Sequence, residues 1–520
     1  MGVSVGQIGT GVSDAVRIQR WVKVLDQTRC IGCHACTTAC KSENEVPIGV
    51  TRTYVKSVDV GLFPQVRRAF QVTRCNQCED APCVAACPTQ AMYRRPDGIV
   101  DFDKSICIGC KACMAACPYD AIFINPDDHS AEKCNFCAHR LDIGLEPACV
   151  TVCPTEAILV GDLNDPNSKV ANIVQREAVS VRRPEKETRP GLFYKGAHQA
   201  TLDPLAARRP DGGLYAWATQ GDAADPQHVA SGHPGRRNSS AAALLSYDVP
   251  HLAPWGWRVS LYTWTKGLAA GGILVPLILA LSGHLRWNDP VTRWVAPLMA
   301  LFFLAITGVL LIWDLKHPMR FYLIFTRHHW KSWLVKGSFI IGAYGGLVTL
   351  YLLGSVIGSV GLRQVAAVGV LPLALATACY TAFLFAQAKA RDLWQSPMLL
   401  PHLAAQTVVL GSAAILPFAW WLSPHHSLVG VEVLLAAGAA AHLIFVAGEI
   451  TITHPTAHAH LAAEEMTRGR FAKFFWPGVV LVAVVVLAPW IGVVASPFAL
   501  VGLLAHEHAY VQAGQSVPLA

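Results

Sequence analysis

The first 29 residues, MGVSVGQIGTGVSDAVRIQRWVKVLDQTR, contain no apolar run of the seven or more residues that a secretory signal needs, and no twin-arginine pair. No export signal is therefore expected there. Charge is also scarce: Asp, Glu, Lys and Arg make up 15% of 520 residues against 53% hydrophobic, and the mean hydropathy is +0.36. That balance excludes a disordered or ordinary soluble chain. The formal charge of +7 has no dense basic arm behind it, so no nucleic-acid partner is expected, and the excess reads as membrane topology. The sequence has no Gly-rich dinucleotide fingerprint, no phosphate loop and no nucleophile constellation, which leaves no catalytic residues to name. Cysteine is missing from most of the chain. Of 17 cysteines only Cys379 lies outside the stretch from Cys30 to Cys153, and such crowding without an export signal points to metal rather than to disulfides.

Composition divides the chain. Residues 1–215 read as one cysteine-rich soluble domain, 216–250 as a linker containing the polar stretch GDAADPQHVASGHPGRRNSS, and 251–520 as a membrane domain with apolar runs of bilayer length. The expected fold is an α+β ferredoxin-like tandem iron-sulfur domain followed by an all-α polytopic membrane domain of about eight helices.

The cysteines fall into four complete quartets. Cys30, Cys33, Cys36 and Cys40 are spaced C-x2-C-x2-C-x3-C, and Cys107, Cys110, Cys113 and Cys117 repeat that spacing with a proline following. Cys75, Cys78, Cys83 and Cys87 form C-x2-C-x4-C-x3-C-P, and Cys134, Cys137, Cys149 and Cys153 form C-x2-C-x11-C-x3-C-P. Two intervening residues let successive thiolates curl around one corner of an iron-sulfur cube, while the fourth cysteine reaches the neighbouring cube. Structural zinc would show two CxxC pairs per site instead. Four 4Fe-4S clusters are expected. Short strands should follow the Cys-Pro pairs at 121–125 (AIFIN) and 157–160 (AILV), and Pro96-Asp97-Gly98 should turn the chain into 99–102.

In this order and spacing the quartets resemble the four-cluster electron-transfer subunit of molybdopterin oxidoreductases, the family of the dimethyl sulfoxide reductase, polysulfide reductase and formate dehydrogenase iron-sulfur subunits. The resemblance covers about residues 20–215 and extends through GDLNDPNS, VRRPEK and LFYKG. It implies that Cys30, Cys33 and Cys36 share a cluster with Cys153, and Cys134, Cys137 and Cys149 with Cys40. It likewise pairs Cys75, Cys78 and Cys83 with Cys117, and Cys107, Cys110 and Cys113 with Cys87.

The second half offers candidate membrane helices at about 257–284, 294–313, 332–354, 366–387, 398–421, 428–450, 474–488 and 490–511. Pro489 and Pro497 interrupt the last apolar stretch, so seven and eight helices are both open. Loops on the N-terminal side carry Lys316, Arg320, Arg327, Lys331, Lys336, Lys389, Arg391, Arg468, Arg470 and Lys473, whereas the opposite loops carry Arg286, Arg293 and Arg363. Ten against three places the N-terminal side, and the iron-sulfur domain with it, in the cytoplasm at the inner membrane. The segments WDLKHPMRF, YTAF, LWQSP and the closing AGQ resemble the eight-helix polysulfide reductase membrane-subunit family over about residues 247–515. That resemblance implies an anchor for iron-sulfur subunits that reacts with quinone, menaquinone or ubiquinone, generally without haem. It also implies a molybdenum or tungsten pterin catalytic partner, oxidising a substrate such as sulfite or formate.

Quinone chemistry needs hydrogen-bond partners for two carbonyl oxygens and a proton path. Tyr262, Trp264 and Lys266 in LYTWTKGLAAGG are the candidates on the first helix, with Lys266 about 13 Å below Trp257. Lys266 could instead snorkel, and the two aromatics could belong to an interface belt. Gly267 and Gly271 form a GxxxG pair, whose plainer meaning is close helix packing. Asp314, His317 and Arg320 stand where the second helix leaves the membrane, as a docking or proton-uptake group or as an ordinary basic loop. Glu449 and His442 could relay protons, and Lys336 should snorkel. His402 and His442 face each other as conceivable haem ligands, but no second pair lies across the membrane and haem is not expected. His454, His458 and His460 are expected in a solvated loop. The resulting expectation is an electron-transfer and quinone-reacting subunit, possible proton movement included; the alternative is an anchor whose clusters deliver to a soluble acceptor.

Overall fold

The computed structural model describes residues 19–208, 242–423 and 428–520. Its first half consists of short strands strung between cysteine-bearing turns. The strands are β1 (Trp21–Asp26), β2 (Thr53–Val60), β3 (Arg67–Arg74), β4 (Met92–Arg94), β5 (Val100–Phe102), β6 (Ile122–Ile124), β7 (Ala131–Lys133), β8 (Ile158–Asp162), β9 (Val179–Ser180), β10 (Leu192–Lys195) and β11 (Leu244–Tyr247). Among them lie α1 (Ala35–Glu43), α2 (Pro82–Ala86), α3 (Ala112–Ala116), α4 (Ala138–Leu141), α5 (Ala148–Thr151), α6 (Lys169–Arg176) and α7 (Gln199–Leu202).

Proline sets the local rhythm. Pro88, Pro118 and Pro154 each follow the last cysteine of a quartet, where a continuing helix would need the missing N–H, and a strand begins four residues after each of them. The turn at Pro96-Asp97-Gly98 closes on Gly98 N–H to Arg95 O at 3.1 Å and joins the β4–β5 hairpin. A β6–β7 hairpin repeats the unit. Two larger sheets frame these hairpins: β8-β1-β10-β9, in which β1 runs parallel to β10, and the antiparallel β11-β2-β3. Of the expected linker, residues 216–241 lie outside the described residues, and β11 in the remainder pairs with β2.

The second half is helical: α8 (Trp257–Leu281), α9 (Ala296–Asp314), α10 (Leu323–Thr326), α11 (Trp333–Ile357), α12 (Val360–Gln387), α13 (Leu399–Leu422), α14 (Val429–Thr451), α15 (Ala457–Thr467), α16 (Ala472–Val485), α17 (Ala488–Ile491) and α18 (Ala495–Ala513). Among the described residues seven segments are long and apolar enough to cross a bilayer: α8, Val291–Asp314, α11, α12, α13, α14 and Ala488–Ala513. The helix α16 has only 14 residues, about 21 Å of rise, short of the ~30 Å hydrocarbon core. The break after it falls at Leu487, Pro489 and Gly492, where Gly492 takes φ +58°. The α16 and α18 helices then pack side by side, with Gly478 and Gly502 facing each other's backbone.

Burial identifies the centre. The most apolar window of α8 is 83% buried, against 28% for those of α9 and α11, so α8 forms the hub and the others show a face to lipid. Gly271 and Gly411 fix its crossing with α13: a Cβ on Gly271 would stand 2.2 Å from Thr407 O, and one on Gly411 2.3 Å from Gly271 O. Only glycine permits that approach. One expectation is corrected in part: residues 453–456, His454 among them, form a loop, but His458 and His460 lie on α15, which the Thr456 hydroxyl caps by accepting from Ala459 N–H at 3.1 Å.

Candidate functional site

All 17 cysteines are free thiols. The sixteen in the quartets converge in four groups, each drawing three from one quartet and one from another. Cys30, Cys33, Cys36 and Cys153 line one cavity, Cys75, Cys78, Cys83 and Cys117 a second, and Cys87, Cys107, Cys110 and Cys113 a third. Cys40, Cys134, Cys137 and Cys149 are close electrostatic neighbours, and Asn44 Nδ2 lies 3.7 Å from the sulfurs of both Cys40 and Cys137. Short helices create the exchange: α1 carries Cys36 into one group and Cys40 into the next, and α3 does the same with Cys113 and its end residue Cys117. The groups thus form a series from Cys30 through Cys134 and Cys75 to Cys107.

The donor sets fit iron-sulfur cubes. Backbone N–H groups of the following strands point at sulfur, with Met92 N to Cys87 Sγ at 3.3 Å, Ala131 N to Cys107 Sγ at 3.4 Å and Ala157 N to Cys153 Sγ at 3.2 Å. Gly32 and Gly109, the third residues of the two CIGC turns, both take positive φ, +69° and +68°. Burial pushes Cys36 up to about 11 and Cys40 and Cys117 up to about 12, so four such thiols cannot ionise together without a cation among them. Burial opposes ionisation of Cys149 too, but Lys23 and Arg74 outweigh it and bring that thiol down to about 7. Arg74 donates to Cys149 Sγ at 3.0 Å and Lys23 stands 3.8 Å from it. Lys23, Arg74 and Lys133 are all buried, and buried cations beside thiolate cages offset the negative charge of a thiolate-held cube.

The Cys107 group sits directly on the membrane domain, on the side of the basic loops. Arg320 donates from one nitrogen to Lys104 O and Cys107 O, both at 2.9 Å, and Lys111 pairs with Asp314 at 2.9 Å. His317 N–H donates to Ile108 O at 3.2 Å, and burial together with the Arg320 charge holds its imidazole below the ordinary range. Ser332 Oγ donates to Ala86 O at 2.9 Å, and Gln387 Nε2 to Ala85 O at 3.2 Å. Gly109 is wedged against Lys316, where a Cβ would stand 2.4 Å from the lysine Cβ. Asp314, His317 and Arg320 are therefore all at the junction. A second tie lies at the start of the membrane half: His251 bridges Asp120 at 2.5 Å and Asp248 at 3.1 Å. Burial would lower that imidazole, but the two carboxylates outweigh it and hold it at about 9.

Beneath the junction, Trp255 Nε1 donates to Cys110 O at 3.2 Å, and its ring stacks on Phe385 and Trp394. Deeper in the bundle lies Lys266, buried, donating to Ala378 O at 2.9 Å and to Thr381 Oγ1, with its nitrogen 4.6 Å from the Tyr380 ring centroid. It is enclosed by protein rather than reaching for the headgroups. Tyr262, one turn earlier, is buried against the same Tyr380 and Thr381. Trp264 lies elsewhere: its Nε1 donates to Leu500 O at 3.0 Å and its ring meets Phe303 edge-on, so it does not join Lys266. Lys336 stacks on Trp333 at 4.4 Å, and Glu449 is half-buried.

Sequence reasoning missed Glu507. Its carboxylate accepts from Thr263 Oγ1 at 2.5 Å; nearby, Gln512 Nε2 donates to Ser260 Oγ at 3.3 Å, Gln515 Nε2 donates to Gln512 Oε1 at 3.2 Å, and Gln515 Oε1 accepts from Trp255 N–H at 3.1 Å. An ionisable residue inside the apolar α18 was the signal available. His402 Nε2 and His442 Nδ1 are 2.8 Å apart, in direct hydrogen-bond contact, whereas nitrogens on opposite sides of one metal would stand about 4 Å apart.

Comparison with known proteins agrees with this division. Residues 66–163 match the family described as 4Fe-4S dicluster domain, and residues 247–518 match the family described as Polysulphide reductase, NrfD. The B component of tetrathionate reductase from Salmonella typhimurium is 44% identical over 193 residues, 36% of this chain and 77% of its own length. The B component of polysulfide reductase from Wolinella succinogenes is 42% identical over 178 residues, covering 34% and 93%. The arsenate respiratory reductase iron-sulfur subunit ArrB of a Shewanella species is 36% identical over 219 residues, covering 33% and 94%.

Proposed function

This chain belongs to the polysulphide reductase NrfD family and carries a 4Fe-4S dicluster domain in the same polypeptide, and on that premise we propose that it moves single electrons between a catalytic partner and membrane quinone. An iron-sulfur electron-transfer subunit and an NrfD-type multi-pass membrane anchor are joined here, in the manner of oxidoreductase subunits. In our reading each of the four cysteine groups holds one 4Fe-4S cluster, with ligands Cys30, Cys33, Cys36 and Cys153; Cys40, Cys134, Cys137 and Cys149; Cys75, Cys78, Cys83 and Cys117; and Cys87, Cys107, Cys110 and Cys113. Bound there, such clusters supply one-electron transfer.

The chain's own residues do the rest. Lys23, Arg74 and Lys133 offset the charge of the cages, and Arg320, Asp314 and His317 seat the last cage on the bundle. Lys266 and Thr381 donate to a quinone carbonyl beside Tyr262 and Tyr380, while Glu507, hydrogen-bonded to Thr263, exchanges the proton. One observation carries this reading: Trp255 hydrogen-bonds to Cys110 O and stands two residues before α8, the helix that bears Lys266. The Cys30 group at the far end of the series faces the proposed partner, a large chain bearing a molybdenum or tungsten pterin. Ten basic loop residues against three support a cytoplasmic face for the iron-sulfur domain at the inner membrane.

The test uses the isolated full chain in detergent. After dithionite reduction, a ubiquinone or menaquinone analogue should reoxidise the iron-sulfur absorbance, and Lys266→Met should slow it at least tenfold with iron content unchanged. Absence of reoxidation by any quinone, alongside rapid reoxidation by a soluble acceptor, would leave the membrane half an anchor only.

A further inference from the structure

The α13, α14 and α18 helices bring three histidines to one point that the electron path above does not use. His402, His442 and His506 are 5%, 0% and 2% exposed, and one ring nitrogen from each lies within 4.8 Å of the others. We propose that these three imidazoles hold a transition-metal ion of the zinc class inside the membrane domain.

Hydrogen-bond accounting leads there first. His402 Nε2 and His442 Nδ1 stand 2.8 Å apart, a contact that a shared ion would replace. His442 Nε2, both ring nitrogens of His506 and Gln406 Oε1 are buried with no partner. A neutral imidazole carries one N–H and one lone pair, so His506 alone leaves a donor and an acceptor unmet. Each such group is costly when buried, and four of them on three neighbouring side chains call for a common partner. An ion accepts lone pairs from all three rings at once.

The donor chemistry specifies the ion. Three imidazoles with no carboxylate within the same radius suit zinc and its neighbours in the first transition row, not magnesium or calcium, which take oxygen ligands. Three protein nitrogens with a free fourth position is a zinc arrangement, and Gln406, one turn after His402, stands 3.4 Å from His402 Nε2 with its carbonyl oxygen unpaired. Tetrahedral nitrogens at about 2.0–2.1 Å from zinc lie about 3.4 Å apart, between the 2.8 Å contact and the 4.8 Å limit seen here. The scaffold is tight. Gly478 on α16 admits no side chain, since a Cβ would stand 3.0 Å from His506 N, and the rings of Phe445 and Phe475 flank the histidines at 5.5 and 5.8 Å.

The experiment uses the full chain in detergent with its clusters in place, stripped with a chelator, loaded with Zn²⁺ and desalted. The expected result is one zinc per chain in addition to iron, with a zinc-edge absorption spectrum showing nitrogen and oxygen at about 2.0–2.1 Å and no sulfur at about 2.3 Å. His442→Ala and, separately, His506→Gln should weaken zinc retention at least a hundredfold at unchanged iron content. Sulfur in the zinc shell, no zinc retained, or retention unaffected by both substitutions would each overturn the proposal. The wild-type spectrum decides alone if the variants do not fold.

Discussion

His251→Gln should remove a pH-dependent clamp between the iron-sulfur domain and the membrane half. The imidazole is buried, with Asp120 at 2.5 Å on one nitrogen and Asp248 at 3.1 Å on the other. Both contacts are donor bonds only when the ring is an imidazolium. Its folded value of about 9 against an ordinary 6.5 corresponds to about 3 kcal/mol at about 1.4 kcal/mol per pH unit. Because the value is raised on folding, this stability is fully present below pH about 6.5 and is lost as pH rises through about 9. The assay is chemical unfolding of the full chain in detergent, followed by iron-sulfur absorbance, for wild type and variant from pH 6 to 9.5. The stability gap should be about 3 kcal/mol at pH 6 and shrink progressively above pH 6.5. A gap that is constant across the range, or that grows with pH, would refute the ion-pair reasoning.

Other substitutions test the remaining contacts. Gly109→Val must place a side chain at φ +68° against Lys316, costing about 2–5 kcal/mol from the left-handed backbone and overpacking together. Iron should be retained while quinone reoxidation slows; the same change at Gly144, with φ +77° and open space around it, should leave reoxidation unaltered. Arg74→Met removes a buried cation beside Cys149 and should lower one midpoint potential by on the order of 100 mV, as expected for about 2 kcal/mol at an effective dielectric near 20; an unchanged set of potentials in a redox titration would count against charge compensation. Thr381→Val, which deletes the hydroxyl partner of Lys266, should raise the KM for a quinone analogue severalfold without altering iron content, and an unaffected KM would place the quinone elsewhere.

The cysteine quartets made the iron-sulfur half legible because ligand spacing is local. Three cysteines of each group follow one another in sequence, and the Cys-Pro pairs announced the strands that follow them. The fourth ligand came from family resemblance, since spacing does not say which neighbour Cys40 or Cys117 reaches. The membrane helices were legible from apolar length, with the ambiguity at Pro489 corresponding to the shortened α16. What the sequence hid was rotation. Lys266 stood out as an ionisable residue at depth, but Thr381 and Tyr380 join it from α12, and nothing within an all-round apolar helix says which face turns inward. The same blindness grouped Trp264 with Lys266, two residues away and on another side of α8. The burial of Lys23 and Lys133 is likewise a tertiary fact that no local pattern announces. His506 was passed over because two of its neighbours in the cluster lie more than sixty residues away.

The central claim is that four cysteine groups each hold a cube of iron and sulfide above the membrane domain. Iron and acid-labile sulfide, counted per chain on anaerobically purified protein, test it most directly. The account predicts about sixteen of each; about eight, or stoichiometric zinc in place of iron, would contradict it.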